Sequence, residues 1–160
     1  DELAHPSVAS RLPPDVRAIV ERVRESDRDA EVFFASMSAD RLHARSVGMA
    51  APSDRALYAQ PDFDRAYRRA LTEGFAQGPA GYARDAVLAF SAWPFDVARI
   101  DVPVTLWHGT ADTSPVHSLD GARGLAARIP GARRHELDGG AGVLWTHAET
   151  ILRSLLTAEA

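Results

Sequence analysis

The sequence predicts an α/β chain in which a helical segment over residues 1–92 is followed by a short parallel βαβα unit over residues 93–160. Two observations carry this expectation. Before Trp93 the apolar residues recur at helical spacing with prolines between the segments, and no stretch alternates as a half-buried strand would. After Trp93 the run VPVTLWH, 102 to 108, is almost continuously apolar and rich in β-branched residues, as expected of a strand buried on both faces of a parallel sheet.

Each element follows from its own residues. PPDVRAIVERV opens with prolines, which cost nothing at a helix start, and places Val16, Ile19, Val20 and Val23 on one face. DAEVFFASM continues with a bulky surface of Val32, Phe33, Phe34 and Met37. PDFDRAYRRALTEGF repeats the helical spacing at Phe63, Tyr67, Leu71 and Phe75, and GYARDAVLAF adds Tyr82, Val87 and Phe90. With Pro52, Pro61, Pro79 and Pro94 as punctuation, four to six short helices are expected in this half.

Beyond the strand at 102–108, Gly109 supplies a turn. Ser114 and Pro115 are the expected N-cap and first residue of a helix carrying Leu119, Ala122, Leu125, Ala126 and Ile129 as far as Pro130. RRHELD, 133 to 138, reads as a second strand and GGAGV as a loop. Thr146 with Glu149 three residues on is a capping box opening the last helix. Two parallel strands leave open edges, so something further is expected to pair with them.

Composition narrows the function. At 160 residues, 46% apolar and 25% charged, the chain is an ordinary globular one with material for one core. No run approaches the roughly 18 apolar residues of a membrane span, DELAHPSV has no intact signal peptide, and a cytoplasmic location is the expectation. The missing initiator Met hints at a longer parent, with tag removal or a cleaved leader as equal alternatives. Zero Cys excludes disulfides, thiolate metal sites and a Cys nucleophile. A net charge of −4 without a basic block argues against nucleic acid as a partner. His108, Asp112 and His117 lie close in sequence, but no HExxH or His/Asp cluster supports a metal. Gly139, Gly140 and Gly142 lack any phosphate-loop pattern, so no cofactor is expected.

The residue with most chemical promise is Asp112, in LWHGTADTSP, just past the end of the first strand. In open parallel sheets, sites form in the crevice at the carboxyl ends of strands. There an Asp serves either as the acid that orients a catalytic imidazole or as a common turn residue bonded to nearby amides.

The segment EGFAQGPAGYARDAVLAFSAWPFDVARIDVPVTLWHGTADTSP, continuing through LAARIPGA and DGGAG, resembles the carboxyl-terminal half of bacterial α/β-fold hydrolases over residues 73–157. Residues 1–72 match only as a cap-like helical region. In that family a helical cap precedes a strand of the VPVxxxHG type, the acid sits in an HGxxD turn, and a GxGH loop supplies the His. The resemblance implies a partial α/β-hydrolase fold, with a helical cap-like region at 1–92 and the end of the core at 93–160. It also implies a parent that cleaves an ester or amide bond of a small-molecule substrate by a Ser-His-Asp mechanism, with Asp112 as the acid.

Two departures qualify it. The family order is nucleophile, acid, His, yet GxSxG occurs nowhere in this sequence, so the serine-bearing, amino-terminal half is expected on other polypeptide and this chain is expected to be inactive alone. The loop reads GAGV, placing Val143 where the His belongs, and the next imidazole is His147. His147 is thus the candidate displaced base. A place in the first turn of a helix would favour its neutral, proton-accepting form, whereas the alternatives are a substitution that abolished the base and a plain exposed helix-start residue. Phe33, Phe34 and Phe63 are candidate substrate-pocket side chains, against the alternative that they are core. The competing function is a non-catalytic binding or self-association module, a homo-oligomer pairing through the open edge of strand 102–108.

Overall fold

The computed structural model describes residues 5–117 and 119–157. Seven α-helices precede Trp93 among these residues: α1 (Pro6–Ala9), α2 (Pro14–Glu25), α3 (Asp27–Phe34), α4 (Ala39–Met49), α5 (Pro52–Tyr58), α6 (Pro61–Gly74) and α7 (Ala80–Phe90). That exceeds the four to six expected, because α1 is a single turn and Pro52 and Pro61 each open a helix of their own. Ser26 caps α3 by accepting the Asp29 amide at 3.2 Å, and Ser38 caps α4 by accepting that of Arg41 at 3.3 Å.

The apolar faces read from the sequence meet in two clusters. Ile19 and Val23 of α2 pack with Ala30 and Phe34 of α3 and with Ala83 and Val87 of α7. Val8, Leu12, Val16 and Val20 form the second cluster, with Val116 and Leu119 of the following region packed against it. The opposite edges of α2 therefore hold the helical layer together and tie it to the residues after β1.

After a 3-10 turn at Val97–Arg99 come β1 (Thr105–Gly109), α8 (Arg123–Arg128), β2 (Arg133–Leu137), α9 (Val143–Thr146) and α10 (Ala148–Thr157). The strands are parallel, in register from Thr105 opposite Arg133 to Gly109 opposite Leu137. This is a right-order βαβα unit, and within the described residues its sheet has two strands.

Three local expectations need correction. The strand expected from residue 102 begins at 105 and is not buried on both faces: its first four residues are half-buried and Val102 is 60% exposed. Neighbouring strands protect only a strand's edges; its faces are buried by what packs above and below the sheet, and here that cover is partial. The helix expected from Ser114 begins at Arg123 instead. Residues 115–117 and 119–122 are in turns, and Gly121 and Ala122 take φ of 65° and 62°, so right-handed helix cannot run through them; Ser118, within the expected helix, lies outside the described residues. Asp120 Oδ2 accepts the Gly124 amide at 2.8 Å and opens α8. The capping box at Thr146 does not form either. Thr146 ends α9, His147 is the residue between helices, and Glu149 pairs with Arg153.

Strand and loop cross tightly at Gly109. The Ala111 amide donates to the Gly139 carbonyl at 2.8 Å, and a methyl group built on Gly109 would fall against the Gly139 and Gly140 carbonyls. Gly109→Ala is expected to cost about 1–3 kcal/mol, the usual range for overpacking. Gly74→Ala, with open space around it, should be neutral or slightly stabilising. Urea unfolding of the two variants checks both.

Candidate functional site

The carboxyl end of β1 delivers Asp112 to the edge of a cavity. The Asp112 amide donates to the Gly109 carbonyl at 3.1 Å, closing the turn, and its own Oδ1 accepts the Ser114 amide at 2.8 Å. That side-chain turn fixes the chain just past the strand end. The bend places His117 over the carboxylate, with Nδ1 2.7 Å from Asp112 Oδ2. The Asp112 side chain is only 7% exposed, whereas that of His117 is 49% exposed.

The pair tunes itself. Burial would push the Asp112 carboxyl up, but the hydrogen bond from His117, the Ser114 amide and the charge of His117 outweigh it and hold the group below its ordinary value. The bond to Asp112 lifts the His117 imidazole above its ordinary value, against partial burial, and the charges of Asp112 and Asp54 add to the lift. With Nδ1–H directed at a carboxylate, a neutral His117 carries its lone pair on Nε2, the tautomer a general base requires.

The cavity beside the pair measures about 360 Å³. Its walls come from the helical layer as well as the βα region: Phe33, Phe34, Tyr58, Tyr67 and Tyr82 supply aromatic surface, and Asp54, Asp112 and His117 supply charge. Tyr58 is pushed up to about 12, first by burial and then by Tyr67 and the Asp54 charge.

Asp54, like His117 as the partner of Asp112, is a member of this site that sequence reading missed. It is 3% exposed, on α5, and its Oδ1 accepts the Gly142 amide at 3.1 Å, so a helical-layer carboxylate holds the loop before α9. Its Oδ2 is buried without a hydrogen-bond partner. Gly140 packs so closely on this carboxylate that a Cβ there would collide with it. Nothing in PSDRALY distinguishes Asp54 from an ordinary acidic residue in a first helical turn.

The other sequence candidates fall as follows. His147 has its Nδ1 2.9 Å from the Thr146 hydroxyl and is not a wall residue of the cavity; the hydrogen-bond partners of the Asp112 carboxylate are Ser114 and His117. Val143, where an imidazole is expected, is buried at 7% exposure. Phe33 and Phe34 line the cavity. Phe63 stands behind it, 5.6 Å from Tyr58 and 6.1 Å from Tyr67 between ring centres. His108 lies against Gly121, and among the described residues no His, Asp and Glu group has the makings of a metal site. His117 could have been found from its spacing: five residues beyond an Asp in a turn is within reach of a chain that bends back.

A second Asp–His pair is structural in placement. His43 of α4, 7% exposed, has Nε2 2.7 Å from Asp64 of α6, whose other oxygen accepts from Arg68 at 2.8 Å. Arg68 first, then His43, holds the Asp64 carboxyl below its ordinary value, and the group ties α4 to α6.

No protein-family model matches the sequence. Among solved structures, the fold is similar to an esterase from Exiguobacterium antarcticum, at a TM-score of 0.53 and 14% identity, over 89% of this chain and 46% of that one. It is also similar to a hydrolase from Pseudomonas aeruginosa PA01, at a TM-score of 0.50 and 19% identity, over 92% of this chain and 52% of that one. Both are bacterial α/β hydrolases. The fold is a partial α/β-hydrolase fold, as the sequence resemblance implies. The chain spans about half the length of the structures it matches. Among the described residues no helix is long and apolar enough to cross a membrane.

Proposed function

We propose that this chain carries the acid–base half of a hydrolase site, cleaving an ester or amide-type bond of a small molecule together with a serine nucleophile borne on polypeptide outside this sequence. One observation carries the reading: the 2.7 Å bond between Asp112, at the end of a parallel strand, and His117 at the cavity wall. In this reading Asp112 is the orienting acid, His117 Nε2 accepts the serine proton during attack on the carbonyl and returns it to the leaving group. Phe33 and Phe34 line the substrate pocket, and the helical layer of residues 1–92 serves as the cap over the core of residues 93–160. His147, the base suggested by the sequence, is the comparator.

The chain alone is expected to hydrolyse p-nitrophenyl acetate no faster than buffer. Robust turnover by the isolated chain would refute the shared-site reading, because the GxSxG pattern of a serine elbow occurs nowhere in this sequence.

A second reading, self-association without catalysis, is favoured by the open strand edges and by Leu152, Leu155 and Leu156 of α10, which are 57%, 65% and 81% exposed. Light scattering separates the two: a monodisperse monomer at all concentrations counts against it.

A further inference from the structure

The rings that line the cavity fall into two clusters. In the first, Phe33 and Phe34 of α3 meet edge-on at 5.3 Å, while Phe34 stacks on Phe90 of α7 at 5.9 Å and meets Tyr82 edge-on at 6.4 Å. In the second, Tyr58 of α5 and Tyr67 of α6 lie 5.3 Å apart, and Phe63 behind them links both to Trp145 of α9 at 6.1 Å. Among the described residues no ring contact joins the cavity rings of the first cluster to those of the second. The cavity is the gap between two aromatic surfaces, one built by α3 on α7 and the other by α5 on α6 with α9.

The charges around this gap call for no charged ligand. Asp112 and His117 pair with each other at 2.7 Å. The Asp54 oxygen without a donor is buried against Gly140, out of reach of the cavity. Arg45, on α4, lines the cavity half-buried, and its guanidinium nitrogens are not among the buried polar atoms left without a partner. A ligand charge drawn in among the rings would lose water without meeting a desolvated partner, which is costly. A flat, uncharged ring would instead meet aromatic surface on both sides, in the stacked or edge-on arrangements that such rings favour. At about 360 Å³ the space lies at the small end of ligand pockets, roughly 300–1,000 Å³, and suits one ring on a short linker.

We infer that the substrate of this site is a neutral ester or amide carrying a single aromatic ring, which inserts between the Phe33–Phe34–Tyr82–Phe90 surface and the Tyr58–Tyr67–Trp145 surface with its carbonyl toward His117. The inference rests on the hydrolase reading for calling the ligand a substrate, while the binding preference is a property of this chain and needs no turnover.

Proton NMR titration of the chain with three probes tests it. Methyl 3-phenylpropionate has both ring and ester; methyl 3-cyclohexylpropionate keeps the ester and the bulk without the aromaticity; 3-phenylpropionate keeps the ring and carries a charge. The first is expected to bind roughly three- to tenfold tighter than the second, the worth of an aromatic pairing. It is also expected to bind about tenfold or more tighter than the third. Phe33→Leu and Trp145→Leu each remove a ring from one cluster at a position 42% and 54% exposed, so both variants should fold, and each should shrink the preference for the phenyl over the cyclohexyl ester. Equal affinity for the two esters, a carboxylate bound as tightly as the phenyl ester, no binding of any probe, or a preference unchanged in either variant overturns the proposal. Ester cleavage by a completed enzyme whose chain shows no such order would leave the hydrolase reading standing and refute this one. The expected order in a completed enzyme that cleaves no ester would refute the hydrolase reading and leave the binding preference standing.

Discussion

In a hydrolase completed by its serine-bearing polypeptide, His117→Ala is expected to lower kcat/KM by about 10²–10⁴-fold, the usual worth of a positioned general base. His147→Ala should leave it within about threefold. The contrast rests on placement: His117 is held at 2.7 Å by Asp112 on the cavity wall, whereas His147 is engaged with Thr146. Since the carboxylate raises the His117 pKa, activity should climb with pH through a midpoint above the ordinary imidazole value of 6.5, as the proton leaves and Nε2 becomes able to accept another. Asp112→Asn removes the bond and the charge that hold the midpoint up. Its profile should therefore move toward lower pH even as the maximal rate drops, because an amide no longer enforces the tautomer or stabilises the imidazolium. A pH–rate profile of the three variants checks this. Equal losses in His117→Ala and His147→Ala, with no movement of the midpoint in Asp112→Asn, would remove the assignment.

Phe34→Ala is expected to destabilise the chain by about 3–5 kcal/mol, against about 1 kcal/mol or less for Phe33→Ala. The two rings are neighbours in sequence and both line the cavity, yet they differ in support. Phe34 is 6% exposed and joins α2, α3 and α7 in one cluster. Phe33 is 42% exposed, touching Phe34 edge-on at 5.3 Å with Arg22 5.0 Å above its ring. For a domain of this size a loss of 3–5 kcal/mol is a large part of the roughly 5–15 kcal/mol available, so the urea midpoint of Phe34→Ala should fall far more than that of Phe33→Ala. Similar midpoints would mean that the α2–α3–α7 cluster is not the core of the helical layer.

These two predictions also mark where sequence reading succeeds and where it stops. The stripe Val16, Ile19, Val20 and Val23 was legible because burial of one helix face imposes a 3.6-residue period on the residues themselves. VPVTLWH and RRHELD are legible as parallel strands for a similar reason, although the first strand starts three residues later and is less buried than its apolar run suggests. The place of Asp112 past a strand end was visible in the order of apolar run, Gly109 turn and acid.

What the sequence by itself determined is periodic or local: the amphipathic helices, the strand–helix–strand–helix order, and a carboxylate at the strand's carboxyl end. The tertiary structure alone decided which imidazole that carboxylate meets, because the choice between His117 and His147 depends on the path of the chain from the Asp112 side-chain turn back to position 117. It alone brought Asp54 against Gly142, 88 residues away, and Arg45 into the same cavity. Such contacts leave no period in the sequence, since they are set by the relative placement of elements and not by the conformation of any one of them.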